Sequence, residues 1–275
     1  MFVILNPTDL ERMYMQITSL GQAGFLIDFD QTRFLIDPYL SNYVVTSGAG
    51  SASLFSREFV PPFQPNELHQ VFAIFITHDH ADHCDPETII PILKNNPDCM
   101  VFGPRTVVDL LISMGVDRNR CQLAKAYIPF THGEISFTAV PSAHYELQQD
   151  LITGENPYLG YVFKVNGFVF YHSGDTILYQ GMEEGLLSVA DRYDVCMLPV
   201  NGRDEKREGM GITGNLEPAE AVKLAGSLGA KILIPMHNDL FKINQREPRL
   251  VDEFAKENHQ SLQVQWLTAG DVLKK

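Results

Sequence analysis

The sequence contains no run of about 18 apolar residues, the length that a membrane-spanning helix needs. Its first stretch, "MFVILNPTDLERMYMQ", begins apolar but soon reaches Asp9, Glu11 and Arg12. This stretch also lacks the basic start and the small-residue cleavage site of a secretory signal. We therefore expect a cytoplasmic protein that has no membrane partner.

Positive charge is scarce as well. The 275 residues include 21 Lys and Arg against 34 Asp and Glu, which gives a formal net charge of −13. Because nucleic-acid binding needs a basic face to neutralise phosphates, we expect no nucleic-acid partner. The four cysteines show no Cys-x-x-Cys spacing, so reduced and buried thiols are expected.

Linkers and low-complexity stretches are also missing, and a single domain over residues 1–275 is predicted. Two segments share one form: "GFLIDFDQTRFLIDPYL" and "GYVFKVNGFVFYHSGDT" each read as two strands around a polar turn. Asn166-Gly167 is a strong hairpin turn in the second segment. Each segment delivers an aspartate after its second strand, Asp37 and Asp175, which indicates two related β-rich halves.

Helices are predicted between the strands. Apolar runs at 71–77, 195–200 and 231–236 are typical of buried strands. Start and stop residues such as Asp85, Gly115, Pro218 and Gly229 delimit the helices. The predicted helices cover residues 86–95, 105–114, 217–228 and 247–258. Strands covered by helices on the outside indicate an α/β layered sandwich.

The stretch "FITHDHADHCDP" places His78, His80, Asp82 and His83 on the loop that leaves a buried strand. Strand ends are where α/β proteins build their sites. Imidazole nitrogens and a carboxylate together suit zinc, manganese or iron. A single histidine is usually structural, but this spacing after a strand indicates metal ligands.

Three more ligand-type residues follow short β-segments. They are His144 in "VPSAHY", Asp175 in "YHSGDT" and His237 in "LIPMHND". Each alone is more often a loop or core residue, but as an ordered set they indicate further ligands of one site. His172 lies close to Asp175 in the chain and is expected to support the site.

This order of residues resembles that of the metallo-β-lactamase superfamily across essentially the whole chain. The resemblance implies a four-layer αββα sandwich with a metal site between its two halves, holding one or two divalent ions (zinc or manganese, with iron as an option). It implies that Asp37 supports the ligands and that Asp175 bridges two ions. The implied ligands are His78, His80 and His144 for a first ion and Asp82, His83 and His237 for a second.

Within the superfamily, four stretches are similar to the L-ascorbate-6-phosphate lactonase group. They are "ITHDHADHCD", "VFGPRTVVDLLISMGVDRNRC", "YHSGDT" and "GITGNLEPAEAVKLAGSLGAKILIPMHND". This likeness implies a hydrolase whose metal-bound hydroxide attacks a lactone or ester of a small phosphorylated or acidic sugar. Asp82 is the candidate to orient the nucleophile and move its proton. Gln22 stands where relatives often carry histidine, so no ligand is expected there.

Substrate contacts are predicted at Arg203, Asn201 and Tyr179. Arg203 follows a strand directly in "NGR", and a guanidinium suits a phosphate group. The alternatives are a solvated charged loop for Arg203 and packing roles for Asn201 and Tyr179.

Two other functions stay open at this point. One is a metal-dependent phosphodiesterase of the nucleotide or N-acyl phospholipid type. The other is a metal-binding scaffold without catalysis, which an intact ligand set argues against. The sequence itself carries no oligomer signal, and only the resemblance favours a homo-oligomer.

Overall fold

The structure is a computed structural model that describes residues 15–30, 32–132 and 135–275. The segment for which we expect no secretory signal lies almost wholly outside these ranges, as does the start of the predicted single domain. Among the described residues, no helix is long and apolar enough to cross a membrane.

The described strands form two sheets of seven. The first sheet has the order β14-β1-β2-β3-β4-β5-β6. Its strands are β1 (Met15–Gly21), β2 (Gly24–Phe29), β3 (Thr32–Ile36), β4 (Val71–Phe75), β5 (Met100–Gly103), β6 (Cys121–Leu123) and β14 (Val272–Lys274). Strands β14, β1, β2 and β3 pair antiparallel, whereas β3 to β6 pair parallel.

The second sheet repeats this plan in the order β13-β12-β11-β10-β9-β8-β7. Its strands are β7 (Pro129–His132), β8 (Ile135–Pro141), β9 (Leu159–Val165), β10 (Phe168–His172), β11 (Val195–Pro199), β12 (Ile232–Met236) and β13 (Gln263–Val264). Strands β7 to β10 pair antiparallel and β10 to β13 parallel. The β9–β10 turn has positive φ at Asn166 (47°) and Gly167 (80°), as a type I′ hairpin requires.

The predicted helices are confirmed, with small shifts at their ends. The helices are α1 (Tyr43–Thr46), α2 (Ala52–Phe55), α3 (Pro86–Asn95), α4 (Arg105–Ser113), α5 (Met182–Val189), α6 (Glu205–Glu208), α7 (Pro218–Ser227) and α8 (Arg249–Asn258). Short 3-10 turns lie at Pro65–Glu67, Arg118–Arg120 and Lys242–Asn244. The Asp85 side chain caps α3 by accepting a hydrogen bond from the Thr88 backbone N–H, as predicted.

The layers follow from the buried apolar clusters. One cluster lies between the sheets and combines side chains such as Phe34 and Phe75 of the first with Phe163 and Met197 of the second. A second cluster packs α5, α7 and α8 on the outer face of the second sheet. A third packs α3 and α4 on the outer face of the first sheet. The predicted αββα order of layers is therefore present.

Phe75 is the centre of the layer between the sheets. It is fully buried, and its ring centroid lies 4.7 Å from that of Phe137, 4.9 Å from Phe163 and 5.1 Å from Phe102. These contacts join β4 and β5 to β8 and β9. Position 75 thus connects the two sheets close to the loop that carries the histidines.

We expect Phe75→Ala to lower the free energy of unfolding by about 3–5 kcal/mol, because it removes a large buried ring and leaves a cavity between the sheets. Urea unfolding in the presence of a chelator measures this without a contribution from bound metal. Leu151→Ala, at a side chain that is 98% exposed, is the control and should change little. A loss below about 1 kcal/mol for Phe75→Ala would contradict this view of the core.

Candidate metal centre

A buried carboxylate holds the histidine loop in place. Asp37, which follows β3, accepts hydrogen bonds from the Thr77 backbone N–H at 2.8 Å and from the Thr77 hydroxyl at 2.6 Å. Both residues are completely buried. The first sheet thereby fixes the chain one residue before His78.

The same carboxylate orients two imidazoles. Asp37 Oδ2 lies 2.8 Å from Nδ1 of His83, and the Thr77 hydroxyl oxygen lies 3.0 Å from Nδ1 of His78. Since the Thr77 hydroxyl donates to Asp37, its oxygen accepts from His78, and Nδ1 of both imidazoles carries the proton. The Nε2 atoms of His78 and His83 are left buried without a hydrogen-bond partner among the described residues.

The structure brings all seven predicted ligand residues together. Within each of three groups the ligand atoms lie within 4.8 Å of one another. The groups are His78, His80 and His144; His78, His83 and Asp175; and Asp82, His83 and His237. The first and third groups have the same members as the two ligand sets that the family resemblance implies, although the ligand roles themselves stay a prediction.

Asp175 lies between the two sets. Its Oδ1 is 3.3 Å from His83 Nε2, and its Oδ2 is 3.3 Å from His237 Nε2. Oδ1 is buried and has no hydrogen-bond partner among the described residues. Both of these imidazoles belong to the second set, and the group of His78, His83 and Asp175 brings the carboxylate within 4.8 Å of a ligand atom of the first set as well, which suits the bridging role predicted for it.

Four histidines of the cluster fall into two groups, those whose pKa is lowered by burial and those whose pKa is raised by neighbouring carboxylates. Burial holds the pKa of His78 well below its usual value and lowers the pKa of His144 to about 4. Burial also disfavours the charged form of His83, but the carboxylates of Asp175, Asp82 and Asp37 outweigh it and raise its pKa well above the usual value. At His237, too, the carboxylates of Asp175 and Asp82 outweigh burial and raise the pKa to about 9, so without a cation the protonated form is favoured at His83 and His237 and the neutral form at His78 and His144.

The donor set fits a divalent cation. Buried imidazole nitrogens and carboxylate oxygens without partners are expensive unless something occupies the space between them. Imidazole and carboxylate donors suit zinc, manganese and iron. The residues present therefore match the group that the sequence predicts.

Two residues that the sequence predicts to support the site contact the loops that carry the candidate ligands. His172 is buried, with Nε2 2.8 Å from the Ala23 carbonyl oxygen, and its Nδ1 accepts from the Gly174 N–H at 3.1 Å. It therefore fixes the turn that presents Asp175. Asp37 holds Thr77 and His83 as described above, in the position that the sequence predicts for it.

Among the described residues, no hydrogen bond joins the predicted substrate residues to the cluster. Arg203 donates two hydrogen bonds to the Glu220 carboxylate, at 2.8 and 2.9 Å, and a third to the Asn215 carbonyl. The Tyr179 hydroxyl donates to the Pro141 carbonyl at 2.7 Å. The Asn201 side chain is buried without a partner among the described residues. A substrate contact at Arg203 would require it to leave Glu220, and all three roles stay predictions.

A cleft of about 290 Å³ opens over the cluster. Its floor includes His80, Asp82, His144, Asp175 and His237, and its walls include Val44, Phe55, Met210 and Ile212. None of the described residues that line it is a lysine or arginine. The cleft is thus small, with apolar walls and a floor of ligand-type groups.

Two residues at the centre make contacts that the sequence analysis did not predict. Gln22 places its Nε2 2.7 Å from Asp82 Oδ2, and Asn244 places its Nδ2 3.5 Å from His237 Nδ1. For Gln22 the family resemblance drew attention to the position, but it led only to the expectation that no metal ligand lies there. Asn244 carried no comparable signal, since it lies in a polar loop with no motif.

Comparison with known sequences identifies the family. Residues 32–238 match the family described as "Beta-lactamase superfamily domain". A protein of Shigella boydii named "Probable L-ascorbate-6-phosphate lactonase UlaG" is 29% identical over 245 residues, which cover 82% of this chain and 63% of that protein. The chain thus spans about 63% of the length of the curated relatives that it matches.

Solved structures confirm the predicted metallo-β-lactamase fold. Igni18, a metallo hydrolase from Ignicoccus hospitalis, superimposes with a TM-score of 0.66 at 18% identity, over 95% of this chain and 98% of that one. The metallo-beta-lactamase fold protein YhfI from Bacillus subtilis gives 0.65 at 14% identity, over 95% and 100%. At these identities the likeness concerns the fold alone.

The contrast between the imidazoles predicts how metal binding depends on pH. His78 and His144 are already neutral, so a cation bound with His80 displaces no proton from them. A cation bound at His83 and His237 must displace a proton from each, so below their raised pKa values its apparent affinity should rise by up to about a hundredfold per unit increase in pH.

Isothermal titration calorimetry of metal-free protein, in buffers of different ionisation enthalpy between about pH 6 and 8, counts the protons released with each cation. The first cation serves as the internal control and should release fewer protons than the second, by up to about two. Equal proton release for both would show that the second cation binds without His83 and His237.

Proposed function

The chain belongs to the beta-lactamase superfamily, and from this we propose that it is a metal-dependent hydrolase of a lactone or ester of a small phosphorylated or acidic sugar. The observation that carries the proposal is the floor of the cleft, where ligand-type side chains with unpartnered buried atoms meet an open space of about 290 Å³. The lactonase named among the relatives supports the choice of substrate class.

The chain's own residues would hold the cation from both sheets. His78 and His80 on the β4 loop and His144 after β8 form the first set, and Asp82, His83 and His237 form the second. Asp175 faces both sets. When bound, a divalent cation polarises the substrate carbonyl and makes water a stronger nucleophile near neutral pH.

Asp82 is the proposed proton acceptor. It lines the cleft, and its side chain is 18% exposed, so a water molecule can reach it. Burial alone would favour the protonated form, but His83 and His237 outweigh it and hold the pKa of Asp82 below its usual value. A carboxylate at the floor can therefore orient the attacking water, accept its proton and pass that proton to the leaving oxygen.

The walls of the cleft limit how a phosphate group could be held. Because no described lining residue is a lysine or arginine, the predicted phosphate contact depends on Arg203 turning away from Glu220. Because the walls carry little charge, they suit an uncharged sugar ring. The ester of that ring would then lie close to the floor. We propose that the phosphate or acidic group lies toward the mouth, near Arg203.

We expect His80→Ala to lose tightly bound metal together with lactone hydrolysis, because the first set then has two imidazoles. Asp82→Asn should keep the fold and lower kcat by about 10²–10⁴-fold, the usual contribution of a positioned proton acceptor. His69→Ala, at an exposed histidine outside the cluster, is the control for removing an imidazole. Full activity in His80→Ala would contradict the proposal.

Substrate choice is tested on one panel of compounds: a neutral sugar lactone, its 6-phosphate and a p-nitrophenyl phosphodiester. The proposal predicts hydrolysis of the lactones and little of the phosphodiester. Arg203→Ala should raise KM for the phosphorylated lactone and leave that of the neutral lactone unchanged. Turnover of the phosphodiester alone would instead favour the phosphodiesterase function.

A further inference from the structure

The side chain of Gln22 lies inside the second ligand set. Gln22 is 2% exposed, and its Nε2 is 2.7 Å from Asp82 Oδ2 and 2.9 Å from His237 Nε2. Both of these atoms belong to the group of Asp82, His83 and His237 that could hold a cation. The amide group thus occupies hydrogen-bonding positions on two of three candidate ligand atoms.

The backbone of Gln22 is fixed by the opposite half of the molecule. Its N–H donates to Asp239 Oδ1 at 2.9 Å, and its carbonyl oxygen accepts from the His237 N–H at 2.7 Å. Its φ of 58° lies in the left-handed region, which a residue other than glycine adopts at a cost. Contacts on both sides of the peptide therefore hold the side chain toward the ligands.

The hydrogen bonds settle which end of the amide faces the ligands. An Oε1 atom in place of Nε2 would bring two acceptor oxygens together at Asp82, so the NH₂ group faces the carboxylate. Oε1 is then buried without a hydrogen-bond partner among the described residues. Because an unpaired buried acceptor is unfavourable, the contacts made by Nε2 must compensate for it.

A cation and this amide compete for the same atoms. The Gln22 Nε2 atom lies 2.7 Å from Asp82 Oδ2 and 2.9 Å from His237 Nε2, so it occupies the space from which a metal ion would reach both atoms. A cation that takes Asp82, His83 and His237 must displace the Gln22 amide. The first set, His78, His80 and His144, has no such competitor among the described hydrogen bonds.

We propose that the Gln22 amide substitutes for the second cation, so that the centre holds one cation tightly, at His78, His80 and His144. Gln22 is in this account a positioning residue that keeps Asp82 in place by a hydrogen bond and contacts His237 Nε2. The inference rests on the proposed function for the presence of the first cation. It deepens that function, because an Asp82 without a metal ion is free to accept the proton of the attacking water.

Metal titration of the metal-free protein tests the proposal. Zn²⁺ and, separately, Mn²⁺ are added in competition with a chromophoric chelator, and bound metal is counted by elemental analysis. We expect the wild type to bind one equivalent tightly and a second at least about tenfold more weakly. Gln22→Met keeps the length of the side chain without hydrogen bonds and should tighten the second equivalent by about tenfold or more.

Two further variants make the result specific. Gln70→Met is the matched control, since Gln70 has the same φ of 58° but is exposed, and it should bind metal like the wild type. Gln22→Glu adds a carboxylate and should also tighten the second equivalent, which provides a test if Gln22→Met fails to fold. Circular dichroism monitors the fold of each variant.

The outcomes separate this inference from the proposed function. Two equally tight equivalents in the wild type, or an unchanged or weaker second equivalent in a folded Gln22→Met, would overturn the role of Gln22 and leave the hydrolase proposal standing. Failure of the wild type to take up either cation would overturn both.

Discussion

The arrangement of the candidate centre depends on the buried carboxylate of Asp37. It accepts hydrogen bonds from the Thr77 backbone N–H, the Thr77 hydroxyl and His83 Nδ1, with donor–acceptor distances of 2.6 to 2.8 Å. Through Thr77 it also determines which nitrogen of His78 is protonated. A single group at the end of β3 thus directs two Nε2 atoms of the β4 loop toward the same space, as carboxylates behind metal-ligating histidines do.

Residues at the strand ends of the second sheet complete the cluster. His172 fixes the turn before Asp175, and the strand order places Asp175 and His237 at the ends of β10 and β12. Buried carboxylates then offset the charge on the imidazoles, since an isolated buried charge would be too costly. The aromatic side chains around Phe75 hold the two sheets against each other, so that the ligand-type residues from both sheets come together.

Much of the fold and of the candidate site could be predicted because the chain repeats one physical rule. A buried strand followed by a ligand-type residue recurs at His78, Asp175 and His237, and parallel strands bring such ends to one edge of a sheet. The helices were predictable from local start and stop residues such as Asp85 and Pro218. The layered sandwich followed from strands that must be covered on their outer faces.

Other features depend on contacts between distant parts of the chain, and no local pattern reports them. The pairing of Arg203 with Glu220 is a contact between a loop and α7, which a sequence reading of "NGR" as a phosphate contact does not include. The cleft walls come from the segments around Val44 and Met210, which carry no motif. Gln22 reaches the ligands only because its backbone is held at a positive φ against His237 and Asp239.

The central claim is that the histidine and aspartate cluster binds a divalent cation. Crystals grown with zinc, with diffraction recorded on both sides of the zinc absorption edge, test this most directly. The account predicts an anomalous peak among His78, His80 and His144, at about 2.0–2.1 Å from the ligand nitrogens. Crystals of the folded protein grown with zinc that show no anomalous peak at the cluster, or a peak only elsewhere, would contradict it.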